Sequence, residues 1–519
     1  MIADKTMRTA KRQQLRLFDI YDIPDIQQEV SDWSIETFSA DSLCCEIARV
    51  ELEKKYLPLT EITEKFNRQS VSYQLSKRAC IHSWFKYKEG FSADLVEILI
   101  NEMCIKSGDT ILDPFLGSGT TSFVAQTLGI NSIGFDIMPM TSVAMFVKSN
   151  VAQYNIQELK EFASYIISAV RPDDYNRRID YINITKGAYP ENTELDIPFF
   201  TELIERSDFS LEARKLGILC ILNCLERLSY TAKDGQYLRW DERSKKIVKA
   251  NAMRAALGKA PFRVILNKGA LPTVKKLLID ELEKAIQDIL YLQNNTPYLG
   301  LNVSTVYKQG SSLIELPLLA GESINGVITS PPYCNRYDYT RIYALELAYL
   351  GMGENEIRQT RQDLLTCTVE SKPKLDFLKD YYSSIGRDTD YNRVIDIINS
   401  NAALKEITSA LEFRNSNGDI NNKGVLKMVK GYFDELTFIY SELFRICKHG
   451  ANVAFVNDNV RYAGEVIPVD FISTEIASQI GFRPKKIYTL KQQKGNSSQQ
   501  MKKFGRIPLR KSITIWTKE

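Results

Sequence analysis

Two short motifs carry the residue types in this chain that could do chemistry. Residues 113–121 read DPFLGSGTT, and residues 329–333 read TSPPY. Each follows a short apolar run, 110–112 or 326–328, which is typical of a buried parallel strand. Open α/β sheets bind ligands at the carboxyl ends of their strands, so we expect both motifs to face one site.

The first motif has the properties of a cofactor-binding turn. Gly117 and Gly119 let the backbone turn sharply, and a helix beginning near Thr120 would point its free N–H groups at a ligand. Asp136 ends the next predicted strand, where a carboxylate can accept hydrogen bonds from both ribose hydroxyls of a nucleoside. A glycine turn that only reverses the chain, with an ordinary strand-end aspartate, is the alternative.

The second motif could hold an amino group. Pro331 and Pro332 stiffen the turn and donate no N–H, which leaves carbonyl oxygens free to accept hydrogen bonds. Ser330 adds a further acceptor, and Tyr333 can stack on a planar base. Accepting both hydrogens of an aromatic amine favours lone-pair character on its nitrogen. Without a partner motif, such a turn is usually only a loop.

The elements that must position these motifs alternate between strand and helix. A helix is predicted over 91–105 with Ser92 as its N-cap, followed by strand 110–113, helix 120–128 and strand 132–136. Further strands are predicted at 302–307, 326–330, 451–457, 486–490 and 512–516, and further helices after Tyr343 and at 436–447 and 472–480. The sequence thus predicts an α/β sheet that ends in two successive strands.

Charge is segregated along the chain, although its net value is only +3. Residues 231–276 hold twelve Lys or Arg against three acids, and residues 482–519 hold eleven against one. Aromatic residues lie among these charges: Tyr237, Trp240, Phe262 and Phe504. Basic segments with interleaved aromatic residues favour nucleic acid as a partner, and a solvated surface is the alternative.

Composition narrows the remaining possibilities. No run approaches the roughly 18 apolar residues of a membrane span, and the start lacks a secretory pattern, so we expect a cytoplasmic protein without a membrane partner. Only two histidines are present, which argues against a histidine-based nuclease, a Ser-His-Asp hydrolase or a zinc site, and we expect no metal. The nine cysteines include no Cys-x-x-Cys pair, and we expect them to be reduced and mostly buried.

Taken together and in this order, the motifs resemble those of bacterial DNA amino-methyltransferases of restriction–modification systems. Besides 113–121 and 329–333, residues 84–100 are similar to the segment that precedes the glycine motif, and residues 445–450 to a helix-to-strand junction. Residues 310–312 read GSS where the family often has Gly-Asp, which leaves the adenine contact of the cofactor unassigned. The resemblance implies a Rossmann-like sheet with a C-terminal antiparallel hairpin and largely helical insertions.

The family resemblance also implies site residues and a cofactor. The cofactor is S-adenosylmethionine, contacted by Phe91, Ser92, Asp113, Phe115, Gly117, Gly119, Thr120 and Asp136. The residues implied around the target base are Ser330, Pro331, Pro332 and Tyr333. Cys334 follows the tyrosine and does not sit in a Pro-Cys nucleophile motif, which argues against methylation of a ring carbon.

The motifs divide the chain into six predicted parts. These are an N-terminal region of unknown role at 1–80, the cofactor-binding part of the methyltransferase domain at 81–150, a candidate target-recognition insertion at 151–300, the catalytic part at 301–350, a second insertion at 351–430 and the closing part at 431–519. The candidate DNA contacts are Arg239, Arg243, Lys245, Lys246, Lys494, Asn496, Gln499, Lys502 and Lys503.

The sequence therefore predicts a site-specific methyltransferase that acts on double-stranded DNA and is paired with a separate restriction endonuclease. Ser330 occupies the place where adenine enzymes more often have aspartate, so cytosine N4 is the predicted target. The alternatives are adenine N6 in DNA, an amino group in RNA, or an inactive fold that only binds DNA. The oligomeric state stays open.

Overall fold

The computed structural model describes residues 46–519, apart from 235–236, 263–265, 297–298, 300–302, 491–503, 506 and 508. Its strands are β1 (Thr60–Thr63), β2 (Thr110–Asp113), β3 (Asn131–Asp136), β4 (Thr231–Asp234), β5 (Tyr237–Trp240), β6 (Thr305–Gln309), β7 (Ile324–Thr329), β8 (Cys447–Asp458), β9 (Val460–Tyr462), β10 (Glu465–Ile467), β11 (Phe482–Leu490) and β12 (Lys511–Lys518).

One eight-stranded sheet positions everything else, with the order β1-β11-β12-β8-β7-β2-β3-β6. β8, β7, β2, β3 and β6 pair in parallel, and β1 pairs in parallel with β11. β12 runs antiparallel to both β11 and β8. This arrangement confirms the predicted Rossmann-like α/β fold with its C-terminal antiparallel hairpin.

Helices connect and cover these strands. They are α1 (Ile47–Tyr56), α2 (Ala93–Glu102), α3 (Thr120–Thr127), α4 (Pro139–Ser149), α5 (Ile156–Ser168), α6 (Glu191–Glu205), α7 (Leu211–Leu228), α8 (Lys245–Ala256), α9 (Val274–Asn295), α10 (Ser312–Glu315), α11 (Tyr339–Ile342), α12 (Ala344–Tyr349), α13 (Glu354–Asp363), α14 (Leu375–Ser384), α15 (Asp388–Ser400), α16 (Ala402–Ser416), α17 (Gly424–Ile446) and α18 (Val469–Ile480). Ser92 caps α2 as predicted, since its Oγ accepts the Leu95 N–H at 3.3 Å.

The N-terminal region, for which the sequence predicts no role, contributes one strand to the sheet. β1 adds to the edge at β11, and its registered pairs run from Thr60 with Ile487 to Thr63 with Leu490. The four-residue strand TEIT is too short and too polar to stand out as a strand from its alternation alone. The described part of residues 1–80 therefore helps to complete the sheet.

The predicted insertion at 151–300 shares a hydrophobic core with the sheet domain. Phe123 and Val147 of the sheet domain belong to one buried cluster with Leu159, Leu219 and Leu278 of the insertion. α7 packs against α4, and α9 packs against α5 and α7. The insertion also contains an antiparallel hairpin, β4 with β5, where the sequence predicted mostly helix. The strand β5 contacts α11, directly after the Pro-Pro-Tyr turn.

Two further predictions can be compared with the structure. None of the helices that the structure describes is long and apolar enough to cross a membrane. The seven cysteines within the described ranges are free thiols, and five of them are buried. This agrees with the prediction of reduced, mostly buried cysteines.

Candidate cofactor and base site

Asp113 joins the two motifs. Thr121 Oγ1, at the start of α3, donates to Asp113 Oδ2 at 2.8 Å, and Thr329 Oγ1, at the end of β7, donates to Asp113 Oδ1 at 2.6 Å. β2 and β7 pair in parallel, so both motifs emerge side by side from the same edge of the sheet. Burial raises the pKa of the Asp113 carboxyl to about 6, against the effect of these donors.

Asp136 stands at the end of β3, next along that edge. Its Oδ2 accepts the Gly117 N–H at 2.8 Å, and its Oδ1 accepts the Met138 N–H at 2.8 Å. Each carboxylate oxygen keeps a further acceptor position, as a pair of ribose hydroxyls requires. Burial raises the pKa of the Asp136 carboxyl to about 7, although both N–H donors act in the opposite direction.

The two glycines of the turn are needed for packing. Gly119 has φ +79°, and a Cβ added there would lie 2.1 Å from Met145 Sδ on α4. Gly117 has φ +55°, and its Cβ would lie 3.1 Å from the Tyr87 ring. Besides allowing the sharp turn that the sequence predicts, Gly119 therefore leaves room for α4 to pack against the backbone of the turn.

A buried cation holds the same turn from behind. Lys148 of α4 is 1 % exposed, and its Nζ donates to the Ser118 carbonyl oxygen at 2.6 Å. Burial lowers the pKa of this ammonium group to about 7. Lys148 was not found from the sequence, because a lysine near the end of an amphipathic helix is usually exposed.

A cavity opens between the glycine turn, Asp136 and the Pro-Pro-Tyr turn. Of the predicted cofactor contacts, those that line it are Phe91, Asp113, Phe115, Gly117, Thr120 and Asp136. Ser92 and Gly119 do not line it, since Ser92 caps α2 and Gly119 packs against α4. Ser330 and Pro332 close its far end.

The charges around this cavity fit S-adenosylmethionine, the cofactor that the family resemblance implies. Its lining carries the carboxylates of Glu89, Asp113, Asp136 and Asp363, and no lysine or arginine is among its described lining residues. S-adenosylmethionine has a sulfonium and an ammonium group against one carboxylate, so it is a net cation. An acidic lining attracts such a ligand.

A second cavity adjoins the first. Ser330, Glu89 and Tyr339 line both, and Pro331, Tyr333 and Lys511 line only the second. Ser330 therefore lies at the boundary between the cavity beside the glycine turn and a space beside the predicted stacking residue. Residues on a boundary of this kind can touch both reactants of a transfer reaction.

Ser330 and Tyr333 form one hydrogen-bonded unit. Ser330 Oγ donates to Tyr333 Oη at 3.0 Å, so the serine proton is engaged and the serine oxygen keeps its acceptor positions. Lys511 Nζ lies 4.9 Å from the centroid of the Tyr333 ring and 3.4 Å from Asp458 Oδ1. Lys511 was missed from the sequence, since it belongs to the last strand, far along the chain from the motif.

Cys334 lies away from both cavities. Its side chain is fully buried, and neither cavity includes it in its lining. Burial also raises the pKa of this thiol well above its ordinary value, which disfavours the thiolate that nucleophilic attack requires. The structure therefore supports the prediction that Cys334 is not a nucleophile.

Aromatic rings form the wall between the glycine turn and the insertion. The rings of Tyr87 and Tyr343 stack with centroids 5.0 Å apart, and Tyr343 Oη donates to Glu89 Oε2 at 2.6 Å. Beneath them, Lys233 of β4 forms a buried ion pair of 2.6 Å with Glu346 of α12. The closely spaced tyrosines after TSPPY could have indicated this wall from the sequence. The stacking of Tyr343 on Tyr87 had no such signal, because the two residues are far apart in the chain.

The predicted DNA contacts fall into two groups. Arg239 and Lys245 are exposed, Lys246 Nζ lies 4.4 Å from the Trp240 ring centroid, and Arg243 is paired with Asp241 at 2.8 Å. No residue of α8 is fully buried: Ile247, Ala250, Asn251 and Arg254 are half-buried on one side, and its other residues are exposed. The other group, Lys494, Asn496, Gln499, Lys502 and Lys503, lies outside the described residues.

Comparisons with known proteins agree with this site. A family model described as DNA methylase matches residues 7–143, which include the glycine turn and Asp136. The type II methyltransferase M.BsoBI of Geobacillus stearothermophilus is 52% identical over 496 residues, covering 95% of this chain and 96% of that protein. M.AvaI of Nostoc sp. PCC 7120 is 37% identical over 508 residues, covering 96% and 99%. M.MjaII of Methanocaldococcus jannaschii is 25% identical over 335 residues, covering 51% and 62%.

Proposed function

The chain belongs to the type II DNA amino-methyltransferases of bacterial restriction–modification systems, and from that premise we propose that it methylates the N4 nitrogen of cytosine in double-stranded DNA. Enzymes of this family use S-adenosylmethionine, which supplies the methyl group. The observation that carries the proposal is Ser330 at the boundary of the two cavities, with its proton donated to Tyr333.

The role of the Pro-Pro-Tyr turn follows from the nucleophile. The exocyclic amine of cytosine is weakly nucleophilic, because its lone pair is delocalised into the ring. Ser330 Oγ accepts one amine hydrogen, and a carbonyl oxygen of the turn accepts the other. The two acceptors turn the amine lone pair toward the cofactor cavity, and Tyr333 stacks on the base. Rate enhancement then comes from alignment and fixed dipoles, and no covalent enzyme intermediate is required.

Cytosine is favoured over adenine by the donor in the second cavity. On the Watson–Crick edge beside its amine, cytosine presents two acceptors, the ring nitrogen N3 and the carbonyl oxygen O2, whereas adenine presents only the ring nitrogen N1. Lys511 lines the cavity on the side of Tyr333 and supplies an ammonium donor. Ser330 stands where adenine enzymes more often have aspartate, and this also favours cytosine. Adenine N6 is the second candidate.

DNA binding is assigned to the hairpin and α8 of the 151–300 insertion. β5 contacts α11, the helix that follows the catalytic turn, which supports a place for the hairpin near where a base must enter, and α8 follows the hairpin in the chain. Extruding a base from duplex DNA costs a few kcal/mol, which protein contacts to the strand must offset. Methylation of the recognised site would protect host DNA in the cytoplasm from a separate restriction endonuclease.

The product nucleoside tests the proposal. Duplex DNA is incubated with methyl-labelled cofactor and the protein, digested to nucleosides and separated against standards. We expect label in N4-methylcytosine only, none with RNA as substrate, and loss of most label in Ser330→Ala. Label in N6-methyladenine would replace cytosine with the second candidate, and labelled RNA would overturn the DNA assignment. No transfer to any substrate, with cofactor still bound, would favour an inactive DNA-binding fold.

A further inference from the structure

The order of the strands fixes which part of the cofactor cavity holds adenine. Along one edge of the sheet lie, in sequence, the Ser330 end of β7, the glycine turn after β2, Asp136 after β3 and Ser311 after β6. The methyl group must meet Ser330, and the ribose hydroxyls fit Asp136. The adenine of the cofactor therefore belongs beyond Asp136, at the end of β6.

The segment that follows β6, residues 310–312, contains no acidic residue. Residues 310–312 read GSS, and the Gly310 N–H is already donated to the Asp136 carbonyl oxygen at 2.9 Å. Ser312 Oγ donates to the Pro114 carbonyl oxygen, and Ser311 Oγ donates to the Asp363 carbonyl oxygen at 3.1 Å. Both serine protons are thus used in holding the backbone together.

Asp363 brings a carboxylate to this place from the second insertion. It is the last residue of α13, it lines the cofactor cavity, and it also lines an adjoining cavity. Gln359 Nε2 donates to Asp363 Oδ1 at 2.7 Å, which orients the carboxylate and leaves Oδ2 as an acceptor.

Helix stability does not account for an aspartate at this position. The C-terminus of a helix carries partial negative charge, so a carboxylate in its last turn is unfavourable. In the part of the chain that the structure describes, no lysine or arginine pairs with Asp363. Lys374, which lines the adjoining cavity, bonds instead to Glu435 at 2.8 Å and to the Leu364 carbonyl oxygen at 2.9 Å.

We propose that Asp363 accepts a hydrogen bond from the exocyclic amine of the cofactor's adenine, so that the second insertion supplies a cofactor-binding residue. On the adenine ring of the cofactor, only the exocyclic amine carries N–H groups that can donate to this acceptor. A purine with a carbonyl oxygen in that place would set two acceptors against each other. The inference rests on the family's cofactor and not on the choice of cytosine as the target base.

The proposed role of Asp363 can be tested by the binding of two inert cofactor analogues, without any methyl transfer. S-adenosylhomocysteine carries the amine, and S-inosylhomocysteine carries a carbonyl oxygen in the same place. By calorimetry, we expect the wild-type protein to bind the adenosyl analogue about ten- to a hundredfold more tightly. Asp363→Asn can donate to the carbonyl oxygen, so the preference should shrink about tenfold or reverse. Asp363→Ala should weaken only the adenosyl analogue.

The matched control is Asp380→Asn, which removes an exposed carboxylate of the same insertion that lines neither cavity. It should keep the wild-type preference, and thermal unfolding of all variants checks their folding. The proposal would be overturned if Asp363→Asn kept the wild-type preference, or if Asp363→Ala weakened the binding of both analogues equally. Either result would leave the assignment of cytosine N4 untouched, because no methyl transfer is measured.

Discussion

The Gly117 amide donates to the Asp136 carboxylate at 2.8 Å, and this bond ties the cofactor turn to the neighbouring strand. The same carboxylate lines the cavity and has room for further donors. Asp136 therefore has two roles, since it fixes the shape of the turn and offers acceptors to the ribose. The ionisation state of its carboxyl group therefore affects both the shape of the turn and the binding of the ribose.

The first prediction concerns pH. With a pKa of about 7 in the folded protein, Asp136 becomes protonated as pH falls through 7 and loses acceptor positions. Affinity for S-adenosylhomocysteine should fall toward pH 6, by up to about tenfold per pH unit. Asp136→Asn should bind about 1.5–3 kcal/mol more weakly at pH 8 and show a flatter profile, measured by calorimetry. The same slope in the variant would assign the titration to another group.

The second prediction concerns Gly119. Gly119→Ala should destabilise the protein and weaken cofactor binding, because the new Cβ meets Met145 Sδ at 2.1 Å. Gly108→Ala is the control. Gly108 has φ +87°, and a Cβ added there would have no atom within 4 Å, so this substitution causes backbone strain alone. Combining Gly119→Ala with Met145→Ala should restore part of the loss, with a coupling of about 0.5–3 kcal/mol in chemical unfolding. Strict additivity would remove the steric explanation.

The third prediction separates chemistry from cofactor binding. Ser330→Ala and Tyr333→Ala should lower kcat and leave the dissociation constant of S-adenosylhomocysteine nearly unchanged. Tyr333→Ala loses stacking worth roughly 1–3 kcal/mol per base. Tyr333→Phe keeps the ring and removes only the partner of the Ser330 proton, so it should retain more activity than Tyr333→Ala. Wild-type rates in both alanine variants would make the turn purely structural.

The fourth prediction concerns Lys148. Its pKa is about 7 when folded and near 10.4 when unfolded, so between these values the unfolded chain binds more protons. The contribution of Lys148 to the free energy of unfolding therefore rises with pH across this window. The stability difference between Lys148→Met and wild type should change across pH 7–10. The exposed Lys379→Met should show no such change in the same urea titrations.

The fifth prediction concerns DNA. Replacing Lys245, Lys246 and Lys249 by alanine should weaken duplex binding and reduce the salt slope by about one per lost phosphate contact. The exposed lysines 379, 405 and 423 of the second insertion form the control triple, and their loss should matter less. A change in site preference would indicate base reading. Equal effects of the two triples would leave α8 as ordinary solvated surface.

The sequence predicted the sheet well where strands are short apolar runs beside motifs, as at β2, β3 and β7. β1 and the hairpin β4–β5 were missed, because four-residue strands with polar residues carry little periodic signal. Within the site, residues next to the motifs were found. Lys148, Lys511 and Asp363 were not, because only the folded chain brings Lys511 and Asp363 to the cavities and Lys148 to the back of the glycine turn.

The core that the 151–300 insertion shares with α3 and α4 limits how this enzyme can evolve. Removing the insertion as a cassette would expose Phe123 and Val147 to water, so exchange of whole recognition modules between relatives is disfavoured. If α8 contacts DNA as proposed, new sequence specificity is instead expected to arise by point substitutions on its exposed side, where no packing is lost. The fold thus separates an interior in which substitutions disturb packing from a surface in which they do not.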